Sequence, residues 1–97
     1  MAIDWVAALR EQDDLVGRVS RETRNALDRP DLTLDQAKRI CGLVEMGMNT
    51  FEQFIDSATG QNLSPGYYVA AQVLTDRWYA LALDASSRLQ IMEERKP

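Results

Sequence analysis

The side chains that could perform acid–base or nucleophilic chemistry are few and scattered along this chain. Two carboxylate pairs, Asp13 with Asp14 and Glu45 with Glu52, could act as general acid and base or bind Mg²⁺. The 97 residues include no histidine, which excludes Ser-His and Cys-His nucleophile pairs and Cys/His metal clusters. The sequence also lacks phosphate-binding glycine loops and nucleophile-elbow motifs. Because both carboxylate pairs lie on predicted outer helix faces, we expect a protein that is not an enzyme and has no cofactor and no metal.

Cys41 is the single thiol, so the chain cannot form an internal disulfide. It lies in an apolar stripe of the second predicted helix, where a cysteine is most often buried and unreactive. At the N-terminus, Asp4 stands where an export signal needs basic residues. The longest apolar run, from Trp78 to Leu83, has six residues, whereas a membrane-spanning helix needs about 20. We therefore expect a protein of the reducing cytoplasm that makes no contact with membranes.

Two segments rich in turn-forming residues divide the chain into three predicted helices. The first segment contains a proline and ends with the pattern of a capping box, Thr33 with Gln36, which begins the next helix. In the second segment, Gly60 is suited to a left-handed C-terminal cap, and Ser64 followed by Pro65 is typical of a helix start. These boundaries predict helices over residues 3–28, 34–59 and 65–94.

Apolar residues recur in each segment at the spacing of an amphipathic helix. The stripe on the third helix contains Tyr67, Ala71, Leu74, Trp78, Leu81, Ala85, Leu89 and Met92. The stripe on the second helix contains Ala37, Ile40, Cys41, Val44, Met48, Phe51, Ile55 and Ala58. Because short loops force consecutive helices to run antiparallel, we expect one all-α domain over residues 1–97, an elongated antiparallel three-helix bundle. Asp13, Asp14 and Gly17 are weak helix formers, so the alternative is a first helix broken near Asp13, giving four helices.

Two lines of residues outside these stripes are candidates for an interaction surface. An acidic stripe on the second helix, with spacings of four, three and four residues, contains Glu45, Asn49, Glu52 and Asp56. An uncharged line on the third helix contains Tyr68, Gln72, Tyr79 and Leu83, and continues through Ser86 and Gln90. Tyrosines beside leucine and small polar residues are typical of interface anchors. The alternatives are an ordinary solvated face for the acidic stripe, and burial of the uncharged line by the other two helices.

The third helix is uncharged around most of its circumference. Besides the uncharged line, yet another side of it carries Val69, Val73, Ala80 and Ile91. Such a helix is either buried by more protein than one small bundle supplies, or presents a binding surface. We therefore expect contact with another protein or the formation of a homodimer. The acidic stripe indicates that the partner protein has a basic surface.

The sequence thus favours a non-enzymatic protein-binding module, a small acidic helical inhibitor or adaptor. By analogy of size and charge, examples are a phage-borne inhibitor of a host defence complex or an immunity-type partner. The alternative is a helix-turn-helix-like nucleic-acid-binding regulator, because residues 32–37 followed by Cys41, Gly42 and Leu43 have the outline of a first helix and turn. The recognition helix would then span residues 48–57, which contain two acidic residues and no cation. That segment would repel phosphates, and the net charge of −4 also opposes direct nucleic-acid binding.

Overall fold

Three α-helices joined by two short loops make up the structure, a computed structural model that describes residues 3–95. The helices are α1 (Trp5–Leu27), α2 (Leu34–Thr59) and α3 (Pro65–Glu94). No strand occurs within the described residues. The predicted all-helical three-helix bundle is therefore confirmed, and its extents of 54 × 21 × 18 Å make it elongated.

Contacts between the helices define their directions. The Tyr67 hydroxyl donates to the Trp5 carbonyl oxygen at 3.0 Å, which joins the beginnings of α1 and α3. An ion pair between Arg88 and Asp28 joins the other ends of these two helices. Accordingly, α1 and α3 run parallel and α2 runs antiparallel to both. None of the three described helices combines the length and the apolar character needed to cross a membrane.

Side-chain caps begin all three helices. At α2, the Thr33 hydroxyl accepts from the Gln36 amide at 3.2 Å, and the Gln36 side chain accepts from the Thr33 amide at 3.0 Å, so the predicted capping box is present. Ser64 caps α3 as predicted. The first helix is shorter than the predicted 3–28, because Asp4 is its N-cap and the helix begins only at the next residue.

The predicted left-handed cap at Gly60 is wrong. Gly60 has a φ of −76°, in the right-handed helical region, and α2 continues into a tight turn in which the Gln61 amide donates to the Ala58 carbonyl oxygen. The chain changes direction two residues later, at Asn62, whose φ is 53°. Asparagine tolerates this left-handed conformation better than most residues because its short polar side chain can bond locally.

The alternative of a first helix broken near Asp13 is not observed, since α1 is continuous from Trp5 to Leu27. The reason lies in tertiary contacts. Asp13 forms an ion pair with Arg77 of α3, and the guanidinium of Arg77 lies 3.4 Å from the point where a Cβ on Gly17 would be. Packing against α3 therefore holds a segment whose intrinsic helix preference is low.

The core is centred on Trp78, whose side chain is only 1% exposed. Its buried neighbours come from all three helices and comprise Val16, Val44, Phe51, Leu74 and Leu81. A smaller buried cluster of Leu27, Cys41 and Ala85 lies at the other end of the bundle. The apolar stripe predicted for the third helix is buried from Tyr67 to Ala85, so the predicted core face of this helix is confirmed.

Candidate functional site

The two carboxylate pairs do not converge on an enclosed cavity. Asp13 and Asp14 line an open surface groove beside arginines of α1 and α3, and Asp13 is occupied by its ion pair with Arg77. Glu45 is exposed, and the Glu52 carboxylate accepts a hydrogen bond from a tyrosine of α3. Among residues 3–95, no group of three or more His, Cys, Asp or Glu side chains is arranged to hold a metal ion.

Cys41 is buried in the smaller core cluster, next to Leu27 and Ala85. Burial raises the pKa of the Cys41 thiol, and the negative charges of Glu45 and Glu93 raise it further. Burial and a raised pKa both disfavour the thiolate, which is the nucleophilic form of cysteine. These observations describe a structural cysteine within the core.

We expect Cys41 to react with a soluble disulfide reagent at least about tenfold more slowly in the native protein than in urea at pH 8. The raised pKa keeps the thiol protonated in the folded state. Because the pKa of Cys41 is higher in the folded than in the unfolded chain, the protonated thiol contributes to the free energy of unfolding at every pH below the ordinary thiol pKa. That contribution is lost as the pH rises through the raised pKa of the folded state. The absorbance of the thiolate that the reagent releases measures the rate in the native protein and in urea. Equal rates would contradict a buried Cys41.

A hydrogen bond across the α2–α3 seam joins the two predicted surface lines. The Tyr79 hydroxyl of the uncharged line donates to a carboxylate oxygen of Glu52 in the acidic stripe at 2.8 Å. This hydrogen bond and the negative charge of Glu52 raise the pKa of Tyr79, which keeps the phenol protonated as a donor. Tyr79 is nevertheless 51% exposed, so its ring is fixed in orientation while still open to a partner.

We define the acidic face as the surface formed by these two lines where they meet on α2 and α3. Its residues are Glu45, Asn49, Glu52, Asp56, Tyr79 and Leu83. Leu83 lies one helical turn beyond Tyr79 and is 68% exposed, more than any other large apolar side chain in residues 3–95. Gln72 is exposed two turns before Tyr79, and its amide donates to Asp76 at 3.0 Å. The uncharged line is thus exposed at Gln72, Tyr79 and Leu83 and is not hidden by the other helices.

Tyr68, the first residue of the uncharged line, has a different position. Its hydroxyl donates to the Ala58 carbonyl oxygen at 3.2 Å and accepts from the Leu63 amide at 3.2 Å. The side chain is half-buried, and its ring meets that of Tyr67 edge-on. Tyr68 therefore holds the loop between α2 and α3, and its hydroxyl is already satisfied within the chain.

The ion pairs between helices and the carboxylates of the acidic face lie on different sides of α3, towards α1 and towards α2 respectively. All ion pairs that connect different helices within residues 3–95 lie between α1 and α3: Arg24 with Asp84, Arg77 with Asp13, and Arg88 with Asp28. On α2, no cation follows Arg39. The carboxylates of the acidic face accordingly have no cationic partner within 4 Å in the described part of the chain.

A groove that the sequence does not predict lies between α1 and α3. It has a volume of about 570 Å³, and its lining includes Val6, Leu9, Ala70, Val73 and Leu74. The exposed valines of the third helix were a signal that α3 has a second apolar side. Their combination with residues of α1 depends on the parallel alignment of the two helices, which periodicity within one helix does not reveal.

No protein-family model, curated protein or solved structure matches this chain at a significant level.

Proposed function

We propose that this protein is a non-enzymatic protein-binding module that docks through its acidic face on a partner with a basic surface. One observation carries the proposal: the bond between Tyr79 and Glu52 joins an exposed aromatic and aliphatic pair to a row of carboxylates that have no cation within 4 Å among residues 3–95. The surface therefore combines anchors that gain from burial with charges that select a partner.

Tyr79 and Leu83 are the anchors in this proposal. Large side chains that pass from water into a partner's pocket carry most of the free energy of binding in typical interfaces, and tyrosine is enriched among them. The hydroxyl of Tyr79 already has its hydrogen-bond partner, so the ring loses little conformational freedom on binding. The complementary surface would offer a shallow apolar pocket for Leu83.

The carboxylates of Glu45, Glu52 and Asp56 set the chemistry of the partner. Arginines or lysines placed around the apolar pocket would pair with them, and the opposite charges would accelerate association. An inhibitor of this kind acts by covering a basic surface that its target needs for another anionic ligand. A reducing cytoplasm is the setting we propose, supported by a single cysteine that lies unpaired in the core.

The test replaces both anchors with arginine. We expect Tyr79→Arg combined with Leu83→Arg to weaken partner binding at least about tenfold, because the variant removes the apolar contact and brings cations against a basic surface. Capture from the native host by immobilised wild-type protein identifies the partner, and titration calorimetry with the purified partner measures the affinities. Circular dichroism should show unchanged helicity, since exposed positions tolerate charge.

Leu43→Arg is the matched control. Leu43 is 65% exposed, nearly the same as Leu83, but it lies two residues before Glu45 and hence on the opposite side of α2. It should leave the affinity unchanged. Equal weakening by Leu43→Arg, or full affinity in the double variant, would contradict a docking role for the acidic face.

The geometry does not favour the nucleic-acid-binding alternative. α2 is a continuous helix through Cys41, Gly42 and Leu43, so these residues form no turn between two helices. A protein interface should respond modestly to added salt, whereas contacts to phosphates weaken steeply. A shift of a DNA or RNA probe at about micromolar protein in physiological salt would count against the proposed function.

A further inference from the structure

The groove between α1 and α3 is apolar along its floor and polar at one end. Leu9 and Leu74 form the deeper part of its lining, with Val6 and Val73 at its exposed edges. Arg10 lies at the rim, and the ion pair of Asp13 with Arg77 closes the end of the groove. Its volume of about 570 Å³ is enough for several side chains of another polypeptide.

A ridge of two valines adjoins the groove. Val69 and Val73 lie one turn apart on α3 and are 67% and 54% exposed. This side of α3 is neither the core face nor the seam with α2. Apolar residues on several sides leave α3 with little amphipathic asymmetry compared with α1 and α2, as expected for a helix that is covered from more than one direction.

Two charges flank this apolar surface. The guanidinium of Arg10 has no carboxylate within 4 Å among residues 3–95. Asp76, one turn beyond Val73, is exposed, accepts a hydrogen bond from Gln72 and has no cation within 4 Å among the same residues. One unpaired cation and one unpaired carboxylate therefore stand beside an apolar ridge and an apolar groove.

We propose that the occupant of the groove is a second copy of this chain, bound as a two-fold symmetric dimer. In such a dimer the contact surface must be complementary to itself. If residue i of one copy contacts residue j of the other, then residue j of the first copy also contacts residue i of the second. The ridge of each copy packs into the groove of the other, and Arg10 of each copy pairs with Asp76 of the other. Both halves of each contact are present on this one surface.

Charge distinguishes this surface from the acidic face. Two acidic faces brought together would place carboxylates against carboxylates, which opposes association. The groove and ridge carry Arg10 and Asp76, which cancel, and so permit a copy of the same chain to approach. The dimer leaves both acidic faces uncovered, because these faces lie where α3 meets α2, whereas the groove lies between α3 and α1. If the proposed function holds, the dimer presents two docking surfaces and gains avidity for a repeated partner.

Light scattering after size-exclusion chromatography, over about 5 to 500 µM, tests the proposal. We expect the mass to rise with concentration from the 11.0 kDa of one chain to twice that value. Val73→Glu should raise the dimer dissociation constant at least about tenfold, because it places a carboxylate in the apolar contact. Leu83→Glu, at an apolar position on the acidic face that is at least as exposed as Val73, should leave it unchanged. Circular dichroism checks that both variants keep their helices.

Charge exchange tests the predicted pairing. Arg10→Glu and Asp76→Arg should each weaken the dimer severalfold, and the double variant should restore it, because the exchanged charges again face opposite signs. A mass that stays at one chain up to the highest concentration would overturn the proposal. So would a dimer that Leu83→Glu disrupts and Val73→Glu does not, or a double variant as weak as the two single variants.

Discussion

Trp78→Ala is expected to lower the free energy of unfolding by about 3 to 5 kcal/mol. Trp78 is the largest of the fully buried side chains, and its neighbours come from all three helices. Removal of the indole leaves a cavity that Val16, Phe51 and Leu81 cannot fill without leaving their own contacts. Domains of about this size are stable by roughly 5 to 15 kcal/mol. For a wild-type stability at the lower end of that range, the variant would be close to unfolding at room temperature.

Urea denaturation followed by circular dichroism at the helical band measures the loss without relying on tryptophan fluorescence. Leu83→Ala is the control, because Leu83 is exposed on the same helix, lies outside the proposed dimer contact, and its truncation should change the stability by no more than about 0.5 kcal/mol. A loss below about 1 kcal/mol for Trp78→Ala would mean that the indole is not the centre of the core.

The elements of the fold could be predicted from the sequence because their signals are local. The capping box of Thr33 and Gln36 lies within four residues, and the stripe that buries Trp78 repeats along one helix. The choice between a continuous α1 and one broken near Asp13 could not be made in this way. It depends on Asp13 meeting Arg77, a residue 64 positions away in the chain, and a local preference cannot include such a contact.

The candidate site was predictable in its parts and not in its assembly. The acidic stripe and the uncharged line each follow from helical spacing, but the bond between Tyr79 and Glu52 depends on the alignment of α2 against α3. The same alignment directs Tyr68 to the Ala58 carbonyl oxygen and so into the loop. The groove is a property of two helices in contact, and no periodicity along one helix describes it.

Gly47→Ala is the second change for which we expect a large effect, a loss of about 2 kcal/mol in the free energy of unfolding. A Cβ at this position would lie 2.6 and 2.8 Å from two carbon atoms of the Trp78 ring, whereas carbon atoms in contact lie about 3.5 to 4.0 Å apart. The ring cannot move aside, because it is itself enclosed in the core. Overpacking of this severity costs up to about 3 kcal/mol, and the better helix propensity of alanine offsets about 1 kcal/mol of it.

Gly42→Ala separates the clash from the helix propensity. Gly42 lies in the same helix, and beyond its chain neighbours and the adjacent helix backbone no atom of the described residues is within 4 Å of the Cβ that the substitution would add. This variant should gain about 0.5 to 1 kcal/mol, because alanine loses less backbone entropy than glycine on folding. The two variants should then differ by nearly 3 kcal/mol, a separation of at least about 10 °C in Tm by scanning calorimetry. If Gly47→Ala were as stable as Gly42→Ala, the close approach of Trp78 to the α2 backbone would be refuted, and with it the packing that places Tyr79 beside Glu52.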